Sequence, residues 1–199
     1  LRMTGSAVAR SFLSRGAEVT VVEERPGALG YAELRDELIA AGAQIIEAPE
    51  ESEWRSLVAG VDLVVPSPGV PPSHAVMIAA LNQGVPVRGD IDLAVGESSV
   101  PVVAVTGTNG KTTTVQLLTA MLNAGGIKAE ACGNIGKPIL DAIRDPEGFD
   151  ALVVELSSFQ LHYLGQIYPF SSAVLNLADD HLDWHGGFEE YRAAKAKVY

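Results

Sequence analysis

The chain has 199 residues, 47% hydrophobic and 20% charged, which is enough apolar material for a packed core and excludes a disordered segment. Its apolar runs, Val100–Val105 and Ala151–Val154, fall far short of the ~18 residues of a membrane span, and Arg2, Arg10 and Arg15 leave no signal-peptide core. A formal charge of −11 sets the general surface against nucleic acid, so any phosphorylated ligand needs local positive character from helix N-termini, backbone N–H groups or a bound cation.

In chain order, Glu18–Val22, Ala43–Ile46, Val61–Val65 and Val85–Val87 are short β-branched runs. Between them, Gly5–Arg15, Tyr31–Ala41 and His74–Gln83 carry helical patterns that stop at Gly16, Gly42 and Gly84. Strands alternating with helices predict an α/β fold with a parallel sheet covered on both faces. Glu97-Ser98-Ser99-Val100-Pro101 reads as a linker, which places a domain boundary near residue 98 and divides the chain into 1–98 and 99–199. The second part then gives a strand at Val102–Val105, a Gly-rich turn, a helix at Lys111–Ala124, strands at Ala151–Leu156 and Ser172–Leu177, and a last helix from Phe188. The opening turn Met3-Thr4-Gly5-Ser6 lacks a strand before it, and Tyr199 falls within a helix, so a fragment of a longer protein is expected. The single Cys132 excludes an internal disulfide and fits a reducing compartment.

The strongest local signal is Val105-Thr106-Gly107-Thr108-Asn109-Gly110-Lys111-Thr112-Thr113. A hydrophobic strand enters a Gly-rich turn whose N–H groups, with the following helix N-terminus, suit phosphate. Lys111 is placed to reach β- and γ-phosphates and the Thr112 hydroxyl to ligate Mg²⁺. Val105 stands where a strict Walker A pattern has its first glycine. The competing reading, a tight turn with a solvated lysine, is weakened by the strand and helix on either side. Asn134, in Cys132-Gly133-Asn134-Ile135-Gly136-Lys137-Pro138, can donate to and accept from a ligand, or can simply occupy a turn. Glu155 ends a buried apolar strand, where ligands of open α/β sheets collect and where a carboxylate needs a partner or a cation. In Asp179-Asp180-His181-Leu182-Asp183-Trp184-His185, alternation puts His181, Asp183 and His185 on one side of an extended segment. A hard cation beside phosphate fits there better than zinc, and Trp184 and His185 read as a solvated loop with an aromatic anchor. The charged face of Tyr191–Lys197 reads as solvated.

Taken together and in this order, Gly107–Thr112, Gly133-Asn134-Ile135-Gly136, Glu155–Leu161, Asp180-His181-Leu182-Asp183 and Tyr191-Arg192-Ala193-Ala194-Lys195 resemble the Mur ligase family of bacterial cell-wall synthesis. The resemblance covers nearly the whole chain. It implies a Rossmann-like, UDP-binding first domain without its opening strand, followed by the first part of a P-loop-type ATPase domain with a mostly parallel sheet. It implies a cytoplasmic, monomeric, ATP-dependent ligase that activates a carboxylate as an acyl phosphate for attack by an amine. The Glu155–Leu161 string points, within the family, to the substrates UDP-N-acetylmuramoyl-L-alanine, D-glutamate and ATP. The resemblance further implies that Gly107, Thr108, Asn109, Gly110, Lys111, Thr112 and Thr113 hold ATP. Thr112, Glu155, His181 and a carbamylated Lys195 serve two Mg²⁺ ions, and Lys111, Glu155, His181 and Lys195 act in catalysis. Asn134, Ser157, Gln160 and His181 contact the sugar nucleotide, as do Thr4, Glu23, Arg25, Ser67 and Gly69 in the first domain. The family's C-terminal domain lies outside the sequence, so the fragment by itself is not expected to complete the reaction. The alternatives weighed are a folylpolyglutamate synthase-like ligase and a non-catalytic nucleotide-binding domain.

Overall fold

The computed structural model describes residues 1–199 and divides them into two compact units, Leu1–Val87 and Arg88–Tyr199. No helix is long and apolar enough to cross a membrane.

The first unit forms around two parallel strands, β1 (Thr20–Glu23) and β2 (Gln44–Glu47), in the register Val21↔Ile45 and Val22↔Ile46. Successive side chains of a strand point to opposite faces, which gives the sheet two covers. Val21 and Ile45 pack with Ala9 of helix α1 (Met3–Leu13) and Leu38 of α2 (Tyr31–Ala40). Val22 packs with Trp54 and Val58 of α3 (Trp54–Val58) and with Ala79 and Ala80 of α4 (Ala75–Gln83). The strands expected at Val61–Val65 and Val85–Val87 reduce to a single parallel bridge between Val64 and Val87. Val64 N–H donates to Pro86 O at 3.0 Å, but Pro66 and Pro86 have no N–H to extend a ladder.

The second unit opens with α5 (Asp90–Glu97) and continues through β3 (Val102–Thr106), α6 (Lys111–Ala124), β4 (Ala129–Gly133), α7 (Ile139–Ala142) and β5 (Ala151–Glu155). It ends with α8 (Ser158–His162), β6 (Ser171–Val174), α9 (Leu182–His185) and α10 (Phe188–Ala196). The four strands are all parallel in the order β4-β5-β3-β6. β5 is buried along its whole length, as expected for a run of apolar residues covered on both faces. On one face Val105, Val115 and Val153 pack with Leu118, Leu122 and Ala131. The division between the units falls at Val87/Arg88, earlier than the boundary expected near residue 98. The reason is α5, which buries Ile91, Leu93 and Ala94 and packs against α7 and α8. Its buried Asp90 and Asp92 break the apolar period that would have marked it as a helix.

Candidate active site

Parallel strands open all their carboxyl ends on one edge of the sheet, and β3 lies between β5 and β6. The turn after β3 is therefore flanked by Glu155 on one side and by the residues following Val174 on the other. This is where open α/β sheets bind ligands.

The turn Gly107–Gly110 leads directly into α6. At Gly107, with φ of 151°, an added Cβ would lie 3.1 Å from Leu175 Cβ and 3.3 Å from Asn176 N, so no side chain fits. Asn176 holds the turn reciprocally: its Oδ1 accepts from Asn109 N at 2.9 Å and its Nδ2 donates to Asn109 O at 2.9 Å. Thr108 N–H donates to Asn176 O at 3.0 Å, and Thr108 Oγ1 lies 2.7 Å from the Tyr191 hydroxyl. Lys111 folds its ammonium back over the turn, donating to Gly107 O at 2.8 Å and Thr108 O at 2.9 Å. The loop is preformed, with α6's N-terminus and one lysine supplying the local positive character that so acidic a chain requires.

Glu155 is 2% exposed. Its Oε2 accepts from Thr112 Oγ1 at 2.8 Å and its Oε1 from Asn134 Nδ2 at 2.8 Å. A buried carboxylate held by neutral donors is well prepared for a cation. The Thr112–Glu155 spacing also fits Mg²⁺, whose octahedral shell at about 2.0–2.1 Å sets neighbouring oxygens about 2.9 Å apart. β4 approaches closely to allow this. Gly133 has φ of 98°, a Cβ there would lie 2.5 Å from Glu155 O, and Asn134 N–H donates to that same oxygen at 2.9 Å.

Lys195, on α10, is 2% exposed. Its Nζ donates to Gly107 O at 3.0 Å and lies 3.3 Å from Thr106 Oγ1. Burial, followed by the charge of Lys111, pulls its pKa down to about 8, so roughly a tenth of the amine is neutral at pH 7, far more than for a free lysine.

Other expected residues are placed differently. His181 is exposed, with its ring 4.6 Å from that of Phe159 and its Nε2 3.5 Å from Asp180 Oδ1. Ser157 and Gln160 form the capping box of α8, with Ser157 N–H donating to Gln160 Oε1 at 3.1 Å and Gln160 N–H to Ser157 Oγ at 3.1 Å. Thr113 is exposed in the first turn of α6. His185 departs from the solvated-loop expectation. It is buried among Phe159, Trp184 and Tyr191, and neither ring nitrogen has a hydrogen-bond partner. Burial lowers its pKa to about 4, so it is neutral. No group of three His, Cys, Asp or Glu side chains is gathered for a metal.

In the first unit, Thr4 lies in the first turn of α1. A Cβ on Gly5 would come within 3.8 Å of Ser67 Oγ, so α1's start and the Ser67–Gly69 turn are neighbours. Glu23 ends β1, and its Oε1 accepts from Arg25 N at 2.8 Å. Sequence reasoning missed Asn176 and Tyr191. The first shows only as a polar residue interrupting Leu175-Asn176-Leu177, and the second as a residue one helical turn before Lys195.

Residues 1–89 match the N-terminal domain of MurD-like Mur ligases, and residues 105–199 match the Mur ligase middle domain. The whole chain aligns at 47% identity with 41% of the UDP-N-acetylmuramoylalanine–D-glutamate ligase of Leifsonia xyli subsp. xyli. The whole chain belongs at 50% identity to an alignment with 43% of the ligase of the same name from Thermobifida fusca. The chain belongs to the Mur ligase family. It spans about two fifths of the length of these curated relatives. A Mur ligase of known structure, the UDP-N-acetylmuramate:L-alanyl-gamma-D-glutamyl-meso-diaminopimelate ligase from Neisseria meningitides, shares the fold. It is 19% identical over 98% of this chain and 64% of that one, with a TM-score of 0.57.

Proposed function

We propose that this chain carries the ATP site and part of the sugar-nucleotide site of an ATP-dependent, ADP-forming ligase that joins D-glutamate to UDP-N-acetylmuramoyl-L-alanine. The observation that carries the reading is the Thr112–Glu155 pair at 2.8 Å, set beside a preformed phosphate turn bracketed by Lys111 and Lys195. The names of the relatives supply the substrates.

A carboxylate is a poor electrophile, so its oxygen first takes the γ-phosphoryl group of ATP and ADP leaves. The amine of D-glutamate then attacks the acyl carbon, phosphate departs, the amine loses a proton, and an amide remains. Lys111 exchanges its bonds to Gly107 O and Thr108 O for phosphate oxygens, and the N–H groups of the turn complete the cradle. Thr112 and Glu155 are the residues that would hold Mg²⁺, which neutralises charge between the phosphates and the substrate carboxylate. His181 would hold a second Mg²⁺. The Lys195 amine adds CO₂ and releases a proton to become a carbamate, an anion that supports the cations where an ammonium would repel them. Its burial and its pKa near 8 favour the neutral amine this addition needs. Asn134, Ser157 and Gln160 face the sugar nucleotide. Thr4, Glu23, Arg25, Ser67 and Gly69 bind its uridine diphosphate.

The test is phosphate release by the protein at its full natural length, given ATP, D-glutamate and either the UDP-sugar or a folate. Turnover with the UDP-sugar, lost by at least about a hundredfold in Lys111→Ala, is expected. Turnover with the folate alone would establish the folylpolyglutamate synthase alternative, no turnover with either substrate would leave a non-catalytic nucleotide-binding role, and wild-type activity in Lys111→Ala would remove Lys111 from the mechanism.

A further inference from the structure

Of the two buried carboxylates of α5, neither of which the reaction uses, Asp90 is the more deeply buried. It is the first residue of α5 and is 4% exposed. Burial holds its carboxyl above the usual carboxylate range, and the Gln160 amide only partly offsets this. A carboxylate in such a place is costly, and its side-chain partner is specific: Gln160 Nε2 donates to Asp90 Oδ2 at 3.2 Å. The two helices are also pressed together just beside this bond. A Cβ on Gly89 would stand 3.3 Å from Tyr163 Cβ and 3.8 Å from Gln160 O, so any larger residue there would have to push the start of α5 and α8 apart by a few tenths of an ångström.

The consequence for Gln160 follows from counting its bonds. Its Oε1 accepts from Ser157 N at 3.1 Å and from Ser157 Oγ at 3.2 Å. One N–H of its Nε2 goes to Asp90. A primary amide has two acceptor sites and two donors, so a single N–H is left. The orientation is fixed as well, because a flipped amide would turn its NH₂ towards the Ser157 N–H and its oxygen towards the Asp90 carboxyl.

We infer that Asp90 is a positioning residue for sugar-nucleotide recognition: together with the α8 capping box it locks the Gln160 amide so that one N–H donor is presented to the substrate. The inference rests on the reading of Gln160 as a substrate contact given under the proposed function. Without Asp90 the capping box still orients Oε1, but Nε2 loses its anchor and the amide can rotate. The cost falls on the one substrate that uses Gln160 and spares ATP, which is bound by Gly107–Thr112.

The experiment is steady-state kinetics of the full-length protein bearing Asp90→Ala, Asp90→Asn or Gln160→Ala, with the KM for the UDP-sugar and for ATP measured separately. Losing one oriented hydrogen bond should raise the UDP-sugar KM about five- to tenfold in Asp90→Ala. The ATP KM should stay within about twofold, as remote, independent sites do. Asp90→Asn, whose side-chain oxygen can still accept from Nε2, should restore most of the loss. If Asp90→Ala is not recovered folded, Asp90→Ser is measured in its place; its hydroxyl still suits a helix start but falls short of Nε2. Equal rises in both KM values, or no rescue by Asp90→Asn, would overturn the inference by showing a merely structural role. An unchanged UDP-sugar KM in Asp90→Ala beside a raised one in Gln160→Ala would overturn it while leaving the site reading intact. An unchanged UDP-sugar KM in Gln160→Ala would overturn both.

Discussion

Lys195 and His185 show how differently burial acts on two bases of the same unit. For Lys195, burial and the neighbouring Lys111 lower the pKa to about 8, against an unfolded value of about 10.4. Between these two values the unfolded chain holds more protons, so this group makes the fold more stable as pH rises through that window. The neutral amine also becomes the major form above pH about 8. Carbamate formation should therefore increase from pH 7 to pH 9 and saturate with added bicarbonate. A carbamate carbon signal after ¹³C-bicarbonate labelling, absent in Lys195→Arg, is the expected result. For His185 the sign gives a different window. Its folded pKa near 4 lies below the unfolded value of about 6.5, so the unfolded chain takes up the extra proton as pH falls from about 6.5 towards 4 and stability is lost there. Because both ring nitrogens lack partners, an apolar ring of similar shape should serve at least as well. His185→Phe is expected to unfold at an equal or higher temperature than the parent at pH 5, with a flatter decline between pH 6.5 and 4 in thermal scans.

At the scale of elements, the site depends on how closely β4 meets β5. Gly133 lets Asn134 place its backbone N–H and its amide on Glu155 together. A Cβ at 2.5 Å from Glu155 O, on a backbone with φ of 98°, cannot be accommodated without moving one strand end. Gly133→Ala should cost about 1–3 kcal/mol in urea unfolding and lower turnover more than Gly126→Ala, whose Cβ meets nothing within 4 Å. Equal effects of the two substitutions would show that the approach of β4 is unimportant. Much of this layer was legible beforehand. The strand–turn–helix at Val102–Ala124 and the buried strand at Ala151–Glu155 follow from apolar runs and turn glycines, since both signals are local. α5 and the short helices α8 and α9 were not legible. Asp90 and Gln160 look like surface residues until each is seen to satisfy the other, and a capping box of four residues carries too little periodicity to stand out.

For the whole molecule, a net charge of −11 opposes a triphosphate everywhere except at the turn. Binding of ATP should therefore depend strongly on the divalent cation. Chelating Mg²⁺ should weaken ATP binding by at least about tenfold in calorimetry, as loss of a bridging cation implies, and Thr112→Val should remove most of that dependence. Metal-independent affinity would show that Thr112 and Glu155 hold no cation. The ordered residues themselves determined the α/β class, the phosphate turn and the family, because a nucleotide loop requires particular residue types at fixed spacing. Only the tertiary structure decided that Val61–Val65 and Val85–Val87 stop at one bridge, that α5 belongs with the second unit, and that Asn176 and Tyr191 hold the loop. Each of those outcomes depends on groups far apart in the chain meeting a missing N–H or a buried partner, and no local pattern records such a meeting.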